Sequence, residues 1–232
     1  KEMGLEFVRL GAHVVLMART EAKLRAAAAE LEAARVSEDQ RVGFQTLDVT
    51  DYASVCEGVA QACAKHGAPA FLVTCAGASR PGYFLEQEPE IFERSMRLNY
   101  MGTVHAIKAV APLMRDGGGG HIMIVASAAA VVSFIGYSSY APTKFALRGL
   151  ADTLRSELSG FGIRVAICYP PDMDTPGFKE EMKTKPPETV ACFPGEAYAP
   201  DTVARQSVWS MLAGDYHIQS VDPLQNLLVS SM

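Results

Sequence analysis

Nothing in this sequence concentrates positive charge: 21 Lys and Arg are scattered among 26 Asp and Glu, for a formal net charge of −5. A surface that tracks phosphates needs a basic stripe, so nucleic acid is not an expected partner. Cysteine is scarce and unpaired. Cys56, Cys63, Cys75, Cys168 and Cys192 are odd in number and contain no C-x-x-C spacing, which argues against a disulfide framework or a zinc site and fits a reducing compartment. No metal ligand set stands out. The longest apolar run, Ile122 to Ile135, is broken by Ser127 and Ser133 and falls short of the roughly 20 residues a spanning helix needs. The opening stretch KEMGLEFVRLGAHVV has no charged start followed by a long apolar core and cleavage site, so it reads as the middle of a fold rather than a signal peptide. Internal repeats and low-complexity linkers are also missing.

What is there suits one α/β domain over residues 1–232: 49% of residues are apolar and 20% charged, enough for a single well-filled core. Short apolar runs at 12–18, 41–47, 69–75, 120–126, 162–168 and, weakly, 216–219 read as buried strands. They alternate with helical stretches at 20–35, 51–66, 90–115, 140–160 and from Asp201 to Gly214. Alternation of this kind predicts a doubly wound parallel sheet with helices on both faces. The proline-rich stretch after Pro176 has no clear period, which predicts a structureless lid over about 177–199. Gly177 and Gly195 are its expected hinges. Phe178, Met182, Val190 and Phe193 would face lipid, and Lys179, Lys183 and Lys185 would face water.

Three groups carry candidate chemistry. Tyr140 and Lys144 are spaced i, i+4, which puts them on one face of a helix, and Pro142 places Tyr140 at that helix's N-terminus. An ammonium so close favours the phenolate and is expected to lower the tyrosine pKa. Ser127 lies 13 residues before Tyr140, at the end of the strongest strand, where a hydroxyl could hold a substrate carbonyl. Asn99 interrupts an amphipathic helix; taken alone it suits a solvent-facing position as well as a buried one.

Cys75-Ala76-Gly77, Asn99, Ser127, Tyr140-x-x-x-Lys144 and the run Pro170-Pro171-Asp172-Met173-Asp174-Thr175 occur in the order and spacing of the short-chain dehydrogenase/reductase family, which the chain resembles over nearly its full length. The resemblance implies a Rossmann-like fold and a catalytic set of Asn99, Ser127, Tyr140 and Lys144. Tyr140 would donate a proton to a carbonyl oxygen that Ser127 holds. Lys144 would bind the nicotinamide ribose, and Asn99 would place a water linking Lys144 to solvent. Asp48 and Val49 would lie at the adenine, Cys75 to Gly77 under the cofactor, and Pro170, Met173 and Thr175 by the carboxamide. Arg19, with Lys23 a turn on, stands where an acidic residue would favour NAD, so NADPH is the implied cofactor. Two positions depart from the family pattern: Cys75 replaces an asparagine and Pro171 a glycine. The family also opens with a strand and a glycine-rich loop that this sequence does not contain. The absent strand would fill the middle of a 3-2-1-4-5-6-7 sheet, which implies residues upstream.

The runs FIGYSSYAPTKFALRGLADTLRSEL and VAICYPPDMDTPGF, with LVTCAG, resemble the branch of that family that reduces 3-ketodihydrosphingosine to sphinganine in sphingolipid synthesis. That likeness implies a long-chain keto-amine lipid substrate and a place at the cytosolic face of the endoplasmic reticulum membrane, peripheral or anchored. It also implies a homo-oligomer joined through the helices at 90–115 and 140–160, whose outer faces would carry Ala109, Ala111, Ala146, Gly149 and Ala151. A reductase of another bulky lipid or steroid ketone is the alternative enzyme, and a non-catalytic dinucleotide-binding module the alternative of another class.

Overall fold

The computed structural model describes residues 1–192, 197–218 and 221–230, the side chains of Leu224 and Leu228 excepted. The strands are β1 (Val14–Ala18), β2 (Val42–Thr46), β3 (Phe71–Thr74), β4 (Gly120–Val125), β5 (Ile163–Cys168) and β6 (His217–Ile218). Each falls inside a segment expected to be one, and their pairings are all parallel. The helices are α1 (Glu2–Arg9), α2 (Glu21–Ala33), α3 (Tyr52–His66), α4 (Pro89–Ser95), α5 (Gly102–Asp116), α6 (Ala141–Glu157), α7 (Pro176–Glu181), α8 (Pro187–Cys192), α9 (Pro200–Ala213) and α10 (Pro223–Ser230). No helix among the described residues is long and apolar enough to cross a membrane.

The strands form a two-stranded sheet, β1-β2, and a four-stranded one, β3-β4-β5-β6. This is the expected order, with no described strand at its middle position. β4 and β5 carry near-continuous apolar sequence because helices cover both of their faces. On one face α3, α5 and α6 set Val55, Val59, Ile107, Val110 and Leu147 against Ile122, Ile124 and Ile167. On the other, Phe7 of α1 and Val208 and Met211 of α9 pack on Met123, Ala166 and Cys168. Successive residues of a strand point to opposite faces, which is why Met123 belongs to one core and its neighbours Ile122 and Ile124 to the other.

Local signals end the helices where expected. Asp51 accepts hydrogen bonds from the backbone of Ala53 and Ser54 at 2.9 and 3.4 Å, opening α3, and Gly214 closes α9 with φ +93°, a conformation that suits glycine.

The structure corrects three expectations. The helix expected at 90–115 is interrupted by a π turn, Met96–Met101, between α4 and α5. The stretch after Pro176 is not structureless: α7 and α8 occupy much of it, Gly177 sits inside α7 rather than at a hinge, and the Lys185 side chain is only 5% exposed. Phe193 and Gly195 lie outside the described residues. Ala151 is fully buried in the main core and so stands on no outer face, whereas Ala109, Ala111 and Ala146 are half-buried and Gly149 is exposed.

Candidate active site

In a parallel sheet all strands point one way, so their ends share an edge, and the expected site residues gather there. Arg19 follows β1, Asp48 and Val49 follow β2, Cys75 to Gly77 follow β3, Ser127 follows β4, and Pro170, Met173 and Thr175 follow β5.

Tyr140 caps α6, with Pro142 in the first turn. Its carbonyl accepts from the Thr143 hydroxyl at 2.7 Å. Lys144, one turn on, is 4% exposed. Its Nζ donates to the Val125 carbonyl at 3.2 Å and stands 5.5 Å from the centre of the Tyr140 ring. Ser127 begins a short turn in which its Oγ accepts from Ala129 N at 3.2 Å, and its hydroxyl lies against the Tyr140 phenol.

Burial governs the charges. It pushes the Lys144 ammonium down to about 8. It also pushes the Tyr140 phenol above its ordinary value, with Ser127 acting the other way. The expected lowering of the tyrosine pKa by Lys144 does not prevail: removal from water outweighs the ammonium that sits over the ring face. A raised phenol is fully protonated at neutral pH, the state a proton donor needs.

Asn99 is fully buried. The π turn supplies the reason, because one extra residue per turn rotates the side chain off the solvent face, and such turns gather at functional sites. Its Oδ1 accepts from Ala78 N at 2.9 Å, and its Nδ2 donates to Ala78 O and to the Thr143 hydroxyl, both at 3.1 Å. The amide thus ties the loop after β3 to the first turn of α6. Gly77 lies in that loop, where an added Cβ would come within 3.2 Å of Asn99 Oδ1 and 3.6 Å of Lys144 Nζ. Asn99→Ala is expected to destabilise the fold by about 2–4 kcal/mol, since it leaves buried partners unpaired. In a thermal melt this appears as a fall of roughly 5–10 °C; an unchanged melt would show that water replaces the amide.

Around the cofactor positions, Asp48 accepts from Thr50 N and from the Thr50 hydroxyl at 2.9 and 2.8 Å. These bonds, with Arg19 and Arg97 nearby, hold its carboxyl below the usual range. Among the described residues neither Arg19 nor Lys23 forms an ion pair. Thr175 caps α7, accepting from Phe178 N at 3.1 Å, and Met173 pairs with Tyr198. The chain so provides a buried lysine with one hydrogen bond made and, after β1, two cations outside any ion pair among the described residues, a donor set that fits a nicotinamide dinucleotide. Sequence reasoning missed Arg97, which only folding brings to Asp48, and the pairing of Tyr137 with Glu181 across 44 residues of chain.

The family model for short chain dehydrogenases matches residues 1–186. Among curated proteins the chain is similar to the 3-ketodihydrosphingosine reductase of Dictyostelium discoideum, 48% identical over 183 residues that cover 77% of this chain and 55% of that protein. It is also similar to the 3-dehydrosphinganine reductase of Danio rerio, 40% identical over 218 residues, 93% of this chain and 66% of that one. The chain spans between about half and two thirds of the length of these relatives. Among solved structures it resembles a short-chain type dehydrogenase/reductase from Mycobacterium ulcerans, with a TM-score of 0.85 at 26% identity over 97% of this chain and 85% of that one. A gluconate 5-dehydrogenase from Burkholderia cenocepacia J2315, in complex with NADP and tartrate, shares the fold with a TM-score of 0.83 at 21% identity, covering 100% and 91%.

Proposed function

The chain belongs to the short chain dehydrogenase family, and on that premise we propose that it is the body of an NADPH-dependent reductase that converts 3-ketodihydrosphingosine to sphinganine. The observation that carries this reading is Lys144, buried one turn on from Tyr140 with its Nζ 5.5 Å from the centre of the Tyr140 ring, while Ser127 follows β4. The substrate comes from relatives that bear this activity in their names.

When bound, NADPH supplies a hydride to the ketone carbon. Ser127 would hold the carbonyl oxygen and Tyr140 would give it a proton, the buried phenol being held in its protonated form. Lys144 would reach the nicotinamide ribose with the donors that Val125 leaves free. Asn99 has its amide committed to Ala78 and Thr143, so we assign it the alignment of the loop under the cofactor rather than the water suggested by resemblance. Asp48, Val49, Cys75, Ala76 and Gly77 would line the adenosine and ribose side, and Pro170, Met173 and Thr175 the carboxamide side.

We read the protein as a homo-oligomer at the cytosolic face of the endoplasmic reticulum. Support for a lipid surface is the exposure of Phe84, Leu85, Ile135, Met182 and Val190, on segments tied together by the Tyr83–Glu188 and Thr189–Ile135 hydrogen bonds. The test is reduction of 3-ketodihydrosphingosine with NADPH and NADH in parallel, with sphinganine identified by mass spectrometry. Turnover of steroid ketones but not of this substrate would shift the reading to the alternative reductase.

Arg19 carries the cofactor preference. Arg19→Ala is expected to narrow the NADPH-over-NADH ratio of Kd by about 10–100-fold, the worth of a hydrogen bond to a charged group. Fluorescence titration with both cofactors checks it, and equal losses for the two would make Arg19 merely structural.

A further inference from the structure

Beside the proton donor stands a second polar cluster. Tyr137 lies edge to face with Tyr140, ring centres 6.0 Å apart, and its hydroxyl donates to Glu181 of α7. Lys185 Nζ lies 2.8 Å from Asp172 and 3.9 Å from Glu181, over the rings of Phe178 and Tyr137 at 5.3 and 5.9 Å. Two carboxylates thus share one ammonium, and both act on the Tyr140 phenol. Burial raises the Glu181 carboxyl above its usual range even though Tyr137 donates to it and the Lys185 ammonium stands nearby.

A separate observation points to what is missing. The Ser79 hydroxyl is buried and close enough to bias Glu181, yet it makes no hydrogen bond of ordinary geometry to that carboxylate or to any other described group. A buried hydroxyl without a hydrogen bond of its own is rare, and a donor entering beside Glu181 would satisfy it. A primary ammonium has three donors and no acceptor, so a carboxylate and a hydroxyl oxygen side by side match it. Lys185 shows that an alkylammonium is already accommodated here, its nitrogen over aromatic rings.

We propose that Glu181 and Ser79 seat the ammonium carried on the carbon next to the reacting ketone, so that this site prefers amino ketones to ketones of the same shape without nitrogen. The inference rests on the reductase reading above and specifies which part of the substrate that site reads. Once the carbonyl oxygen lies on Tyr140 and Ser127, a substituent on the adjacent carbon must fall among the next side chains out, and Glu181 is the anionic one held there by Tyr137. Tyr137, Asp172 and Lys185 are positioning residues: they aim the carboxylate.

The test uses the full-length protein with NADPH and a matched pair of long-chain 1-hydroxy-3-ketones, one with and one without the 2-amino group. The wild-type protein is expected to favour the amino ketone in kcat/KM, and Glu181→Gln to shrink that preference by about 30-fold or more, as when one member of a buried charge pair is lost. Ser79→Ala is expected to shrink it by roughly 3–10-fold, and carries the test if the first variant fails to fold. Calorimetry gives a readout apart from turnover: sphinganine should bind the wild-type protein at least about 10-fold more tightly than its analogue lacking nitrogen. A wild-type protein that reduces both ketones equally well, or variants in which both fall together with the ratio held, would overturn the seat and leave the reductase reading standing. A wild-type protein that reduces neither would overturn the reductase reading, and the seat with it.

Discussion

Tyr140→Phe is expected to lower turnover by about 10²–10⁴, the usual contribution of a positioned general acid, while the dinucleotide still binds. The substitution removes one oxygen from a side chain whose ring is fixed by its neighbours: Tyr137 stands edge to face with it and Lys144 lies over it. Shape is therefore nearly conserved and the loss is chemical. Ser127 remains to hold the carbonyl oxygen but has no comparable acid behind it. Turnover and fluorescence binding of NADPH, measured on one preparation, separate the effects. Turnover within a few-fold of wild type would remove Tyr140 from the mechanism.

Lys144→Met is expected to do two opposite things: turnover should fall by two orders of magnitude or more as the ribose contact and the charge are lost, and the cofactor-free protein should become more stable. The sign follows from linkage. The folded-state pKa of Lys144 is pushed down by burial to about 8 from an ordinary 10.5. Below about pH 8 the ammonium is charged in both states, and the folded protein bears the whole penalty of holding it out of water. Between about pH 8 and 10.5 the unfolded chain binds more protons, so wild-type stability rises with pH, by roughly 3 kcal/mol in all. Methionine fills similar space without charge, so the variant should start higher at pH 7 and lose that rise. Thermal melts at pH 7 and pH 10 check this; a variant with the wild-type slope would show that Lys144 does not titrate there.

Much of this site could be read from order along the chain, for identifiable reasons. The i, i+4 spacing of Tyr140 and Lys144 survives folding because a helix fixes it, and Pro142 marks the helix start. Ser127 was legible because β4 is apolar enough to be a buried strand and its end is abrupt. Asn99 was ambiguous: asparagine in an amphipathic helix looks the same from sequence whether it faces out or in, and the π turn that decides it leaves no compositional mark. The two helices after Pro176 were hidden by the prolines, which serve as first-turn residues here and not as breakers. The charge balance at Tyr140 was misjudged because spacing reports proximity but not burial, and burial dominates there. Glu181 was invisible, since its pairing with Tyr137 is purely tertiary.

The segment 176–192 is fastened at several points. Tyr83 donates to Glu188 at 2.9 Å, Thr189 donates to the Ile135 carbonyl at 2.7 Å, Lys185 holds Asp172, and Pro186 lies where a Cβ on Gly136 would fall, 2.4 Å away. Three of these ties are hydrogen bonds or ion pairs and the fourth is an apolar contact. Were they undone in one event the segment would act as a gate, and motions of that kind run on microseconds to milliseconds, a clock set by the fastening of the chain and not by any step of chemistry.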